Sequence, residues 1–480
     1  MHKLNEMRLR LFACFLLFLS LPVLAQKPFS GEIEIRKSLD KLNTLGSVLM
    51  IAAHPDDENT ALITYYARGR NMRTGYLSLT RGEGGQNLIG AEQGAKIGVI
   101  RTQELLAARK IDGGEQMFGR MIDFGFSKTA SETIDRWGRQ NILSDVVWNI
   151  RRFRPDVIIL RFSGTPRDGH GHHQTSALLG KEAFAMAADP QKFPEQLKYV
   201  EPWQAKRMYF NLFSFLPEHE RENDKVSGTI IQDYGEFDPV LGYSYAEIAG
   251  ISRSQHRSQA MGAPERKGSS RNHLLLLAGD KAEKDPFEGI DTTWNRVGAA
   301  PVGALLEKAR REFQATDPTT ILPTLLEAKS LMESRTDGWS KLKLQEIDET
   351  IALCAGLWID ASAERAEAVP GSTLKISLNA IVRSKVPVSL TDPALALETN
   401  RMSSQTIDWV IPADQPLSQP YWLREPADGA IYRIPDPQLN GLPENPADRV
   451  IQIKARIQGK TIQLSRPVHY RYVDRAEGEL

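Results

Sequence analysis

The feature that most constrains the fold is a short, wholly apolar run, Val48-Leu49-Met50-Ile51-Ala52, that passes without a linker into Ala53-His54-Pro55-Asp56-Asp57-Glu58. An unbroken apolar run of this length, ended by a turn, reads as a strand buried on both faces, the kind found in a parallel sheet covered by helices. Pro55 stops the strand and sets the turn. Parallel α/β sheets bind ligands at the carboxyl ends of their strands, so an imidazole and three carboxylates fall at the functional edge. Capping of the following helix accounts for one of Asp56 and Asp57. It does not account for His54 or for the density of acids.

The same alternation continues along the chain. Strands are expected at 74–79, 155–160 and 206–212, with helices around 61–65, 100–111 and 174–188, which together predict a mostly parallel α/β sheet. Residues 218–239 have loop composition, and 243–261 look helical. The pattern changes around Asp291-Thr292-Thr293-Trp294: helical spacing over 305–313, 321–332 and 342–357, broken at Asp317-Pro318 and Asp337-Gly338, predicts a helical connector. From Trp358 onward the residues alternate, as over 374–382 and 450–455, with prolines between the runs, which predicts a small β-sandwich. The expected division is therefore an α/β domain at 26–295, a helical connector at 296–356 and a β-sandwich-like domain at 357–480. Trp294 reads as a packed residue at the domain junction. Tyr421-Trp422 reads as a glycan-binding patch or as sandwich core.

Residues 1–25 read as a signal peptide: Lys3, Arg8 and Arg10, an apolar run over 11–19, then Ser20-Leu21-Pro22-Val23-Leu24-Ala25. The run is too short for a hydrocarbon core of about 30 Å. Export to the periplasm, cell surface or medium is expected, with no stable membrane span after cleavage. Cys14 then leaves with the signal and Cys354 stands alone, so no intrachain disulfide forms and a metal site must draw on nitrogen and oxygen. Lys and Arg total 60 against 60 Asp and Glu, which removes the general electrostatic case for a nucleic-acid or anionic-membrane partner. A basic patch would have to be built locally.

A second cluster, Asp168-Gly169-His170-Gly171-His172-His173, follows a buried strand and opens a helix. Three imidazoles in four positions are hard to explain as packing. His54, one of Asp56 and Asp57, and a histidine of the second loop offer two nitrogens and one oxygen, a set suited to Zn²⁺ or another divalent cation with a position left open. A spare carboxylate can accept a proton, and a spare histidine can stabilise an oxyanion and protonate a departing amine. The residues predict metal-assisted hydrolysis of an amide or ester and leave the acyl group open.

The segment 53–58, with His170-x-x-His173 downstream, resembles the LmbE-like, or PIG-L, family of zinc-dependent N-acetylglucosaminyl deacetylases. Leu79-Thr80-Arg81-Gly82-Glu83, Arg101-Thr102-Gln103-Glu104-Leu105 and His256-Arg257-Ser258-Gln259 add to the likeness, which extends over residues 45–265. It implies a Rossmann-like sheet and loss of acetyl from an N-acetylated sugar or glycoconjugate. It also implies zinc on His54, Asp57 and His173, Asp56 as general base, His170 at the oxyanion and leaving amine, and Arg81, His172 and His256 at the substrate. One position departs: the family commonly has an aspartate where this chain has His172, so that either Asp168 orients His170 or the acid step is tuned differently. The loop Arg81–Asn87 lacks the Lys-Ser/Thr of a nucleotide loop and is read as a sugar-side loop. Arg101 and Glu104 read as an intrahelical pair. Hydrolysis of another amide or ester, and a non-catalytic surface protein binding glycan through its sandwich, are the competing expectations.

Overall fold

The computed structural model describes residues 31–213, 222–476 and 478–479. The expected signal peptide, and residues 218–221 of the expected loop, lie outside the described residues.

Strand β1 (Ser47–Ala52) is buried at every position and pairs in parallel with β2 (Arg73–Ser78) on one side and β4 (Val157–Leu160) on the other. With β3 (Glu115–Phe118) and β5 (Arg207–Leu212) they form a parallel block in the order β3-β2-β1-β4-β5. The strand order reverses between β1 and β4, which opens a crevice at the carboxyl ends of those two strands. The two motif loops leave those ends. The fold class expected from sequence is therefore observed, a mostly parallel α/β sheet followed by antiparallel β-sheets.

Two strands were not anticipated. β7 (Arg271–Gly279) runs antiparallel to β5, and β6 (Thr229–Asp233) pairs antiparallel with β7 to finish the sheet. Residues 274–277 are four leucines in succession, so β7 carries no alternation to read, and β6 lies within a stretch of loop composition. The helices Ala130–Trp137 and Arg139–Phe153 also went unread, although they supply Trp137, Val146 and Ile150 to the core. Over 243–261 the helix covers only Tyr245–Arg253, where Ser244 and Glu247 form a capping box.

A second core joins the N-terminal helix Glu32–Leu42, the helices Ala300–Glu312, Leu322–Glu333 and Gly338–Cys354, and the sandwich. Leu39, Leu306, Leu325 and Ile347 pack in one cluster with Ile376, Leu378, Ile453 and Leu464 of its two sheets. Connector and sandwich thus share their buried surface. Trp294 is buried at this junction, and its Nε1 donates to the Leu42 carbonyl at 3.0 Å.

The segment 420–445 leaves the sandwich and returns to the α/β domain. Ile122 N donates to the Ala430 carbonyl at 2.8 Å, Tyr432 N to the Arg120 carbonyl at 2.9 Å, and Trp148 Nε1 to the Asn440 carbonyl at 2.8 Å. Tyr421 and Trp422 are buried in this contact, so they are neither an exposed patch nor sandwich core. Among the described residues no helix is long and apolar enough to cross a membrane.

Candidate metal centre and active site

The turn after β1 brings Asp57 back over the strand end, where its Oδ2 accepts from the amides of Ala53 (3.1 Å) and His54 (2.7 Å). Asn59 caps the next helix by accepting from Leu62 N, so neither Asp56 nor Asp57 is spent on that task. From the second loop, His173 stacks on Phe162 with ring centroids 3.9 Å apart. His54 Nδ1 then lies 3.2 Å from Asp57 Oδ2 and 3.2 Å from His173 Nε2, and His173 Nε2 lies 3.3 Å from Asp57 Oδ1. Zn–N and Zn–O bonds of about 2.0–2.1 Å set tetrahedral ligand separations of about 3.3 Å. The three side chains fit a divalent cation.

The rings are held in the tautomers that such a cation needs. His173 Nδ1 sits 3.1 Å from the Asp168 carbonyl, which can only accept, so Nε2 keeps its lone pair. His54 Nε2 is 3.0 Å from His172 Nδ1, leaving Nδ1 free to ligate. His54, His170 and His172 also lie close enough to share an ion. His172, however, is fully buried and does not line the cleft, whereas His54, Asp57 and His173 do.

His172 is therefore not at the substrate, as the sequence had led us to expect. It stands behind His54, packed against Trp137 and Phe124, with Asp123 Oδ1 3.7 Å from its Nδ1. An imidazole here offers His54 a neutral acceptor where an aspartate would offer a charged one. Loss of an outer-shell partner of this kind lowers metal affinity by about 10–100-fold. His172→Ala is expected to fall in that range when zinc binding is measured against a competing chelator, with the fold intact by circular dichroism.

Asp168 does not orient His170. Its carboxylate accepts from Ser163 N, Gly164 N and Thr165 N and shapes its own loop. His170 is fixed differently: its Nδ1 caps the helix Gly171–Met186, accepting from His172 N at 3.1 Å, which leaves Nε2 as the N–H donor. Burial, then the neighbouring His54 and His173, push the His170 pKa down to about 4. At neutral pH it is a neutral hydrogen-bond donor. Asp56 lines the same cleft, and burial reinforced by Asp57 raises its carboxyl pKa.

Without a cation the cluster holds a proton. Asp57 and Asp123 outweigh burial and raise the His54 pKa to about 9. A metal must displace that proton, so its affinity is expected to rise about tenfold per pH unit from pH 6 and to level off above about pH 9. Competition titrations at three pH values test this. A pH-independent affinity would exclude His54 as a ligand.

Two other expected substrate residues lie elsewhere. Arg81 is 1% exposed: it stacks on Trp422 at 3.4 Å and donates to Thr102 Oγ1, Tyr421 Oη and the carbonyls of Leu442 and Pro443. It anchors the C-terminal segment. His256 is fully buried with Nε2 2.7 Å from Glu58 Oε1, where it and Arg109 engage a carboxylate inside the fold. Arg101 and Glu104 do not pair. Arg101 braces the glycine loop through the carbonyls of Gly82 and Gln86, and Glu104 accepts from Ser258 N and Oγ.

The cleft, about 560 Å³, is lined in addition by Gly84, Gly85, Arg101, Asp123, Arg161 and Arg253. A Cβ on Gly84 would meet Gly125 N at 2.2 Å, so only glycine lets the two loops approach. Asp123, Arg161 and Arg253 carried no signal in the sequence. Each stands alone in its local pattern, and only the fold brings it to the site.

An α/β sheet with a His/Asp set that could hold a cation at its switch point, beside a spare carboxylate and an imidazole donor, has the parts that metal-assisted hydrolysis requires. More particularly, residues 49–184 match the model of the PIG-L family, described as GlcNAc-PI de-N-acetylase, and carry a deacetylase domain of that family. No curated protein matches the chain. Among solved structures, N,N'-diacetylchitobiose deacetylase from Pyrococcus horikoshii is similar at 16% identity, with 48% of this chain and 81% of that one covered and a TM-score of 0.33. The 4-carboxy-2-hydroxymuconate hydratase GalB from Pseudomonas putida gives 18% identity, 50% and 99% coverage and a TM-score of 0.33. A deacetylase of teicoplanin biosynthesis, in complex with teicoplanin, gives 11% identity, 48% and 99% coverage and a TM-score of 0.31.

Proposed function

We propose that the protein is an exported, zinc-dependent N-deacetylase that removes the acetyl group from an N-acetylated amino sugar or glycan. The observation that carries this reading is the convergence of His54 Nδ1, the Asp57 carboxylate and His173 Nε2 at 3.2–3.3 Å, in a cleft that also holds Asp56 and His170. A divalent cation held there supplies Lewis acidity, acidifying water and polarising the acetyl carbonyl.

The chain's own residues supply the proton traffic. Asp56 takes the proton from water as its oxygen bonds to the acetyl carbon. His170 Nε2–H donates to the oxygen that becomes negative, a contact that strengthens as charge develops. Breaking the C–N bond then requires a proton on nitrogen, which Asp56 returns. Acetic acid and a free amine leave, the acid yielding its remaining proton to the amine or to solvent, and Asp56 ends ionised as it began. Giving this last proton transfer to Asp56 revises the sequence-based assignment to His170, whose low pKa keeps it from holding a proton at neutral pH.

Export rests on residues 1–25, and a glycan outside the cytoplasm is the substrate it favours. Acetate release is to be measured from N-acetylated mono- and oligosaccharides and from matched non-sugar acetamides and acetate esters. The sugars are expected to be turned over best. No acetate from any sugar with metal-loaded protein, or faster turnover of a non-sugar, would overturn the reading.

A further inference from the structure

Beside the metal-binding cleft lies a second cavity of about 760 Å³, and the two share Arg161, Phe213 and Arg253 in their walls. Its charge is one-sided. Arg161, Arg253, Arg266, Lys267 and Arg271 line it, against Glu58 and Asp224. Glu58 is bound to His256 and Arg109, and Asp224 to Arg271 and His273. Lys267 is engaged by Glu247.

Among the described residues the remaining cations, Arg161, Arg253 and Arg266, form no salt bridge. The direct partners of Arg161 among the described residues are neutral: its guanidinium lies 3.8 Å over the Phe213 ring and donates to Asn211 Oδ1 at 3.0 Å. Arg253 donates to the main-chain carbonyls of Asp56 and Glu58 and to Met261 Sδ. Both guanidiniums are partly buried in the shared wall and neither forms a salt bridge among the described residues; Asp56, Asp57 and Glu58 act on them only from a distance, so their mutual repulsion still carries a cost in the free protein. Burial, then repulsion from Arg253, push the Arg161 pKa down to about 10. An oxyanion brought between them would relieve that cost through charge-assisted hydrogen bonds.

We infer that the second cavity is a subsite for an anionic group, a carboxylate or sulfate on the sugar unit next to the one that loses its acetyl, so that the substrate is an acidic glycan. The inference rests on the deacetylase reading for the unit at the metal centre. Net charge does not oppose it, because the patch is local: the chain's 60 cations and 60 acids balance only over its whole length.

The test is binding, read by calorimetry on metal-loaded Asp56→Asn protein at low salt. The ligands are a tetrasaccharide alternating N-acetylglucosamine with glucuronate, its carboxyl-reduced neutral form, and that neutral form O-sulfated. The glucuronate or the sulfated form is expected to bind about tenfold or more tighter than the neutral one, and which of them does so identifies the anion. The gap should shrink with added salt. Arg161→Gln, and independently the exposed Arg266→Gln, should narrow it too. Equal affinity for all three ligands, or no binding by any, overturns the inference. Failure of the deacetylase reading shows separately, as absence of acetate release by unmodified protein.

Discussion

Asp56→Asn is expected to lower kcat for acetate release by about 10²–10⁴-fold, the contribution of a positioned general base, while metal content and thermal midpoint stay unchanged. Asparagine keeps the size and the hydrogen-bonding edge of the side chain but cannot take a proton from water. The substitution also separates roles. Asn and Asp cap helices about equally, so a residue that merely capped would show no effect, and the cap is in any case Asn59. Asp57→Asn should behave differently. Asp57 Oδ2 already accepts from two main-chain amides and the carboxylate faces both histidines, so its loss should empty the site of metal. Activity measured at matched zinc occupancy distinguishes the two. Loss of metal in Asp56→Asn, or retained kcat, would contradict the assignment.

Arg81→Ala is expected to destabilise the protein by about 3–5 kcal/mol, from buried acceptors left unsatisfied at about 1–3 kcal/mol each and from the packing lost with the side chain. Four oxygens, Thr102 Oγ1, Tyr421 Oη and the carbonyls of Leu442 and Pro443, lose a donor at once, and Phe118 and Trp422 lose the guanidinium packed between them. Thermal unfolding should start at a lower temperature, and Trp422→Ala should cause a similar loss. KM measured below the transition should stay near that of the unmodified protein, since Arg81 does not line the cleft. A raised KM with unchanged stability would restore Arg81 to the substrate. For the same reason, truncation at residue 356 should not yield a working α/β domain. It uncovers Arg81, removes the Tyr432 Oη–Glu83 Oε1 hydrogen bond of 2.8 Å, and strips the helices of the sandwich side of their core.

The central strand and its motif were legible because both are local. Residues 48–52 are apolar without interruption, Pro55 ends them, and the acids follow within three positions. His170-Gly171-His172-His173 announced itself by density, and the sandwich strands by alternation, as in Thr373–Val382, where every second residue is buried. What remained hidden is non-local. Arg81 and Tyr421 meet across 340 positions, and no spacing rule relates them. A resemblance assigned Arg81 and His256 by position along the chain, yet in this chain a C-terminal segment covers one and a buried glutamate engages the other. Asp123 sits in a loop between Ile122 and Phe124 with no pattern around it, and only the fold brings it within 4.0 Å of His54 Nε2. The exchange of aspartate for His172 was visible. Its consequence was not, because the sequence gives no sign that this side chain is buried out of the cleft, where its Nδ1 meets His54 Nε2.

The central claim is that one divalent cation, held by His54, Asp57 and His173, is required for hydrolysis. It is tested most directly by titrating metal-depleted protein with Zn²⁺ while measuring initial rates of acetate release from an N-acetylated oligosaccharide. The account predicts no activity without metal, a rise that saturates at one equivalent, and neither binding at that stoichiometry nor activity in His173→Ala. Acetate release that survives depletion, or full zinc binding and activity in His173→Ala, would contradict it.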